Sequence, residues 1–155
     1  MAKSQGGKGN MTGRRLENHI ELALQECGYV KIFEKNVSIR ALENLTQPCY
    51  ARQVNIGNSI YGTNLKSDFM LFHPQKWPMG LVIEVKWQQR SGTVDEKFPY
   101  LVMNIWSSEL QTILILDGGG YREGAERWVR SMQKHNLLYV FSLVEFITWV
   151  NQGNL

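Results

Sequence analysis

The feature that most restricts the fold of this chain is a strand predicted over residues 80–86, whose core reads Leu-Val-Ile-Glu-Val. Apolar and β-branched residues fill it almost completely, which is typical of a central strand buried on both faces of a sheet. Glu84 and Lys86 lie two residues apart, so strand alternation places both side chains on the same face. Burying such charges is costly unless they are paired or bind a metal ion. The segment therefore predicts a buried sheet with ionisable groups at one end.

A second predicted strand, over residues 66–72, carries Asp68 near its start. A turn with two prolines joins it to the first strand, so an antiparallel pairing would bring Asp68 towards Glu84. One interpretation is a salt-bridged cluster in which Lys86 only neutralises Glu84. The other is a cation site, because adjacent carboxylates suit Mg²⁺ and a nearby lysine can position or activate an attacking water. The spacing favours the cation site.

The remaining elements follow from periodicity and turn residues. Helices are predicted over 14–27, about 93–106, 122–135 and 143–150, and strands or strand-like pieces over 30–33, 50–56, 112–116 and 137–141. A hairpin is expected over 50–63, and a capping box formed by Thr93 and Glu96 would begin the second helix, with a kink at Pro99. Strands separated by helices predict an α/β (or α+β) fold with a mixed sheet flanked by helices.

An Asp, a turn, and then Glu-x-Lys inside an apolar strand resemble the PD-(D/E)xK nuclease superfamily. This superfamily includes many restriction endonucleases, Holliday-junction resolvases and some homing endonucleases. Its core of a helix, a three-stranded meander, a helix and a further strand resembles residues 15–117 in order. Ser67 stands where the superfamily name has Pro, a position that varies among members. The resemblance implies a restriction-endonuclease-like sheet.

The resemblance also implies roles for the site residues. Asp68 and Glu84 would hold Mg²⁺, for which Mn²⁺ is an expected substitute, with the Val85 carbonyl as a third ligand, and Lys86 would assist the attacking water. Gln88 continues the same strand face and would lie near that water, or else at a solvent-facing strand end. On the first helix Glu17 is a secondary catalytic candidate and Glu21 an alternative, although a solvated helix face would explain both. Asp95 and Glu96 fit the acidic first turn of a helix better than a metal site.

The basic residues are concentrated at the N-terminus. The chain has a net charge of +3, and its first 15 residues contain four basic residues and no acid. A flexible basic arm is predicted over 1–13, followed by a single nuclease domain over 14–155. An arm of this kind suits contact with a polyanion, and a disordered solubilising end is the alternative. The expected DNA contacts are Lys3, Lys8, Arg14 and Arg15, together with Arg90 and Ser91 in a polar loop after the second strand.

Several other kinds of site are excluded or disfavoured. Cys27 and Cys49 have no metal-binding spacing, and a disulfide is not expected. The three histidines are scattered, which disfavours a zinc or histidine-centred nuclease. The glycines at 118–120 lack the spacing of a nucleotide-binding loop and indicate a tight turn. No apolar run is long enough to span a membrane and no secretory signal is recognised, so a cytoplasmic protein is expected.

Together these observations predict a Mg²⁺-dependent endonuclease acting on double-stranded DNA, site-specific, of the restriction or homing type. A structure-specific nuclease such as a junction resolvase, or a non-catalytic DNA-binding protein on the same fold, stays open. Because one chain supplies one active site, a homodimer or higher homo-oligomer is expected for cutting both strands. Trp128 and Trp149 are candidate interface anchors, or else parts of the monomer core.

Overall fold

The two strands that carry the charged residues pair side by side in the middle of one sheet. A computed structural model describes residues 6–32, 39–40 and 44–155. Its strands are β1 (Val30–Lys31), β2 (Cys49–Asn58), β3 (Asn64–His73), β4 (Trp77–Trp87), β5 (Thr112–Asp117) and β6 (Leu137–Phe141). Its helices are α1 (Gly6–Glu26), α2 (Phe98–Ser108), α3 (Glu123–Ser131) and α4 (Leu143–Asn151), with a short 3₁₀ helix at Asp95–Lys97.

The strands lie in the sheet in the order in which they occur along the chain. β2, β3 and β4 form an antiparallel meander, whereas β1 is parallel to β2, and β5 and β6 continue parallel to β4. α2 connects β4 to β5 and α3 connects β5 to β6, as parallel neighbours require. The predicted α/β fold with a mixed sheet is confirmed.

Helices cover both faces of the sheet with apolar side chains. On one face, α1 and α4 pack with residues such as Ile20 and Phe146 against Ile83 of β4. On the other face, α2 and α3 pack with residues such as Val102 and Val129 against β5 and β6. Each large apolar side chain buried in this way contributes about 1.5–3 kcal/mol relative to an exposed one. Helices therefore cover the sheet on both faces, and β4 is buried against α1 and α4 on one of them.

The second helix begins later than predicted. A 3₁₀ turn precedes it, and the α-helix starts at Phe98, so Pro99 lies in its first turn. Proline is tolerated there because the first N–H groups of a helix have no partner within the helix. The expected kink and the capping box at Thr93 are therefore wrong. A capping box occurs instead at Ser142 and Glu145, where α4 begins.

The first helix begins earlier than predicted. Helix α1 extends back to Gly6, so residues 6–13, expected to be a flexible arm, are helical as far as the structure describes them. Extending a helix that is already docked adds one hydrogen bond per residue without a new nucleation step. Residues 1–5, and the end of the strand-like piece predicted at 30–33, lie outside the described residues.

Two smaller expectations concern cysteine and membranes. Both cysteines are free thiols; Cys49 is buried and Cys27 is half-buried. Within the part of the chain that the structure describes, no helix is long and apolar enough to cross a membrane.

Candidate active site

Asp68 lies where two neighbouring strands separate. The antiparallel pairing of β3 and β4 reaches Phe69 and Ile83 and ends there. Beyond this pair, the Val85 N–H donates a hydrogen bond of 2.8 Å to Asp68 Oδ2 rather than continuing the strand ladder. The same register places Asp68 opposite Glu84. The carboxylate is therefore held in the opening between the two strands.

Glu84 and Lys86 point to the same face of β4, as their spacing predicts. Lys86 Nζ lies 3.6 Å from Glu84 Oε2 and 4.0 Å from Asp68 Oδ2. The Tyr121 hydroxyl donates a hydrogen bond of 2.7 Å to the Lys86 carbonyl, which anchors the backbone at this point. The side chain of Lys86 is 34% exposed and that of Glu84 only 11%. The ammonium group thus sits between the carboxylates and solvent.

The carboxyl group of Glu84 is buried close to the charge of Asp68. Burial, together with the negative charge of Asp68, raises the pKa of Glu84 to about 8, and the opposing influence of Lys86 is smaller. A hard divalent cation would relieve this repulsion in place of a proton, so the donor set fits Mg²⁺ or Mn²⁺. Among the described residues no three His, Cys, Asp or Glu side chains converge at one point.

Gln53 of β2 contacts the same aspartate. Its Nε2 donates a hydrogen bond of 3.3 Å to Asp68 Oδ1, so both carboxylate oxygens have a partner. The backbone of Gln53 has φ of 53°, a left-handed conformation that is unfavourable for residues other than glycine. Strain of this kind is characteristic of functional sites. Nothing in the local sequence marks Gln53, because its conformation depends on pairing with β3.

Gln88 is buried, although it continues the strand face of Glu84 and Lys86. Its Nε2 donates to Asp95 Oδ1 at 3.0 Å and to the Gly120 carbonyl at 2.9 Å, and its Oε1 accepts from the Val94 N–H. Both amide hydrogens are therefore engaged by protein atoms. This corrects the expectation that Gln88 faces solvent, whereas its placement near an attacking water stays a prediction.

Asp95 lies at the centre of this loop and not at the carboxylate pair. It accepts from Gln88 on one oxygen and from the Arg122 N–H on the other, at 3.1 Å. It also belongs to the first turn before α2, which agrees with its interpretation as a helix acid. Its contacts join the loop after β4 to the start of α3.

The glycines after β5 form a tight turn against the end of β4. A Cβ at Gly118 would lie 2.5 Å from the Gln88 carbonyl oxygen, and one at Gly120 would lie 2.5 Å from the Gln89 carbonyl carbon. Only glycine fits such a close backbone approach. The Gly120 N–H also donates to the Gln88 carbonyl at 2.7 Å. The turn is explained by packing, in agreement with the prediction.

Glu17 and Glu21 bind a different partner from the one expected. Glu17 forms an ion pair with Arg52, and Glu21 lies 3.4 Å from the same guanidinium and accepts from the Tyr50 hydroxyl. The Arg52 guanidinium covers the Phe69 ring on the face under α1. Glu84 lies on the opposite face. The structure therefore does not bring these two glutamates to the carboxylate pair.

The expected DNA contacts whose side chains the structure describes lie near one end of β4. They are exposed: Arg14, Arg15, Arg90 and Ser91. A Cβ at Gly13 would be 4.0 Å from the Trp87 Cβ, so α1 passes the strand end that follows Lys86. Lys8 lies in α1, and Lys3 lies outside the described residues.

A cavity of about 260 Å³ opens beside Glu84 and Lys86. Lys66, Lys97 and Tyr100 are part of its lining, and none of them was singled out from the sequence. Lys97 and Tyr100 are three residues apart at the start of α2, so helical spacing would have paired them once the start of the helix was known.

Comparison with known proteins gives one match. The PD-(D/E)XK nuclease superfamily domain matches residues 8–154, which is nearly the whole chain. No curated protein and no solved structure matches it.

Proposed function

Because the chain belongs to the PD-(D/E)XK nuclease superfamily, we propose that it is a Mg²⁺-dependent endonuclease that hydrolyses phosphodiester bonds in double-stranded DNA. Superfamily membership by itself indicates a nuclease. The observation that carries the proposal is the convergence of Asp68, Glu84 and Lys86 where β3 and β4 separate.

The proposal assigns the cation to Asp68, Glu84 and the Val85 carbonyl. When bound, a divalent cation supplies Lewis-acid stabilisation of the charge that develops on the phosphate. The Val85 N–H and Gln53 hold the Asp68 carboxylate in one orientation. Lys86 donates a hydrogen bond to the attacking water and offsets negative charge next to the phosphate.

Plasmid cleavage tests the assignment of the site. Glu84→Ala and Lys86→Ala should each slow cleavage in Mg²⁺ by about a hundredfold or more, because each removes a group that acts on the transition state. DNA binding, measured by gel shift in Ca²⁺, should be retained. Glu123→Gln is the matched control, since this carboxylate is 88% exposed and pairs with its helix neighbour Arg127. Full activity of either alanine variant would contradict the site.

Metal binding is tested separately at Asp68. A carboxylate is a better ligand for a hard, strongly hydrated cation than a neutral amide. Asp68→Asn should therefore weaken binding of Mg²⁺ or Mn²⁺ in calorimetric titrations with DNA present. Unchanged metal binding would show that Asp68 has only a structural role.

The proposed substrate is a specific DNA site, as for restriction or homing endonucleases of phages or mobile elements. The alternatives are a structure-specific nuclease such as a Holliday-junction resolvase and a DNA-binding protein without catalysis. Discrete plasmid fragments support a specific enzyme, cutting only of four-way junctions supports a resolvase, and no cutting in Mg²⁺ or Mn²⁺ supports the non-catalytic protein.

Cutting both strands needs two sites aimed at opposite strands, so we expect a homodimer or higher homo-oligomer. Trp128 on α3 is 38% exposed and is the better candidate anchor. Trp149 instead packs against Trp77, Phe141 and Phe146 within the chain. Light scattering that gives a monomer at working concentrations would contradict this expectation.

A further inference from the structure

Two stacked tyrosines lie at the edge of the active-site cavity. Tyr61, in the turn between β2 and β3, stacks on Tyr100 of α2 with ring centroids 5.0 Å apart and planes inclined by 27°. Tyr61 is 76% exposed, so the face of its ring that does not contact Tyr100 is open to solvent. Tyr100 also lines the cavity beside Glu84 and Lys86. We call this pair, Tyr61 and Tyr100, the tyrosine platform.

The turn that carries Tyr61 is held rigidly. Ser59 is buried, its hydroxyl is 2.7 Å from that of Thr63, and it accepts from the N–H groups of Tyr61 and Thr63. The next residue, Ile60, donates its N–H to Asn104 of α2 at 2.8 Å, and Asn104 is itself buried. The exposed ring is therefore presented by a fixed backbone, which lowers the entropy lost when it binds a flat ligand.

The charges around the platform suit a polyanion. Lys66 and Lys97 line the same cavity as Lys86, whereas Glu84 is the one acidic residue in the described lining. Lysines beside an exposed aromatic ring form the combination that binds single-stranded or unstacked nucleic acid, in which the cations contact phosphates and the ring stacks on a base. A ring alone would suit a protein partner equally well, and the lysines distinguish the two.

We propose that the tyrosine platform binds a nucleobase that has left the base stack of the DNA substrate, next to the phosphate to be cut. This inference rests on the proposed function and extends it to a class of substrate. Lys66 and Lys97 contact the phosphates that flank the extruded base. DNA in which one nucleotide is already unpaired binds more tightly than a perfect duplex, because less free energy is needed to move that base out of the stack.

Fluorescence with two matched duplexes tests the platform. One duplex is perfect and the other carries a single unpaired 2-aminopurine, and both are titrated with protein in Ca²⁺. The wild type should prefer the second duplex and quench its fluorescence by stacking. Tyr61→Ala should lose about tenfold in affinity for the unpaired duplex and much less for the perfect one. Tyr61→Phe, which keeps the ring, should retain both the affinity and the quenching.

Val144→Ala is the control, because Val144 is also 76% exposed but lies on α4, which packs on the other face of the sheet. Unchanged affinity and quenching in Tyr61→Ala would overturn the platform while leaving the proposed function intact. Equal losses on both duplexes without a change in quenching, or a change of oligomeric state on light scattering, would overturn it as well. A wild type that binds neither duplex would overturn the proposed function along with it.

Discussion

Asp68 accepts a hydrogen bond on each carboxylate oxygen, one from the Val85 backbone and one from Gln53. The backbone bond follows from the separation of β3 and β4, whereas the side-chain bond depends on a strained residue in a third strand. Strain of about 1–2 kcal/mol for a left-handed residue persists only where the surrounding structure enforces it. A substitution of Gln53 can therefore relieve the backbone strain and, independently, remove the hydrogen bond to Asp68.

Gln53→Gly should affect stability and cleavage in opposite directions. Glycine adopts the left-handed backbone freely, so the free energy of unfolding should stay equal or rise by up to about 1 kcal/mol. Loss of the amide leaves one oxygen of Asp68 unsupported, so cleavage should slow by about tenfold. Thermal unfolding and cleavage rates measure the two effects.

The control for this variant is Glu109→Gly. Glu109 also has a left-handed backbone, with φ of 58°, and is exposed at the end of α2. Its replacement by glycine relieves the same backbone strain without removing a contact to Asp68. Its cleavage rate should equal that of the wild type. Equal cleavage by Gln53→Gly would show that Gln53 does not position the aspartate.

Glu84→Gln should stabilise the metal-free protein although it removes activity. The folded pKa of Glu84 is raised from 4.5 to about 8, so ionisation of this group opposes folding. In EDTA, wild-type stability should fall as pH rises from about 4.5 to 8, whereas the variant should lack this part of the pH dependence. At pH 8 the variant should therefore melt several degrees higher than the wild type. A lower melting temperature would indicate that the ion pair with Lys86 dominates.

At the scale of elements, a polar stripe joins α1 to the sheet. Glu17, Glu21 and Gln25 lie four residues apart on the helix and contact Tyr50 and Arg52 of β2. Residues four positions apart lie on the same face of a helix. The sequence therefore indicates that these side chains share a face, but not which part of the sheet that face contacts. Arg52 determines the outcome, because it draws both glutamates to the face away from Glu84. This long-range pairing, which the local sequence does not reveal, explains why Glu17 does not lie at the carboxylates as the resemblance implied.

Glu21 should make stability depend on pH in the acidic range. Burial alone would raise its pKa, but hydrogen bonds from Lys31 and Tyr50 and the charge of Arg52 outweigh it, so the pKa is lowered. Its contribution is therefore present above about pH 4.5 and disappears as pH falls through the lower folded pKa. Glu21→Gln should cost about 1 kcal/mol at pH 7 and less at pH 3.

Melting curves at the two pH values provide the measurement. Glu26→Gln is the control on the same helix, because Glu26 is exposed. A loss of stability by Glu21→Gln that is the same at pH 3 and pH 7 would contradict the role of its charge.

The strands and the starts of α3 and α4 could largely be predicted from the sequence, whereas the starts of α1 and α2 could not. β6 (Leu137–Phe141) coincides with its predicted bounds, and β4 and β5 extend theirs by only a few residues. Buried strands consist of continuous apolar runs, and such runs are visible locally. The start of α2 depends instead on the loop around Gln88 and Asp95, whose hydrogen bonds join parts of the chain far apart in sequence.

The same distinction holds for the candidate site. Asp68, Glu84 and Lys86 were predicted because their positions follow from strand alternation and one short connection. Gln53 and Tyr61 were not, since each depends on contacts with another element. Pairing between elements, and not local propensity, therefore limits what the sequence reveals about this site.

At the scale of the whole molecule, charge is distributed unevenly. The first 15 residues hold four basic side chains and no acid, which leaves the rest of the chain close to neutral. Helix α1 passes the end of β4, where Gly13 approaches Trp87. The exposed basic residues of α1 therefore lie near the end of β4 that follows Lys86. This arrangement favours phosphate contacts that do not depend on DNA sequence.

Deletion of residues 1–12 should weaken binding to all DNA sequences alike. It removes Lys3 and Lys8, and each lost phosphate contact lowers the slope of log affinity against log salt by about 0.9, so the slope should fall by up to about two. Gel shifts at several salt concentrations measure the slope, with Arg127→Ala, an exposed change on α3, as the control. A slope unmoved by the deletion would show that the two lysines do not contact DNA.

The hydrogen bond between the Val85 N–H and Asp68 also bears on how a chain of this kind changes by descent. The carboxylate accepts a hydrogen bond from an N–H group that would otherwise extend the backbone pairing of β3 and β4. If Asp68 holds the cation as proposed, a substitution that removes its carboxylate would end cutting and, in the same step, free the amide to bond the opposite strand. A descendant that lost the proposed activity in this way would keep an intact and more fully paired sheet.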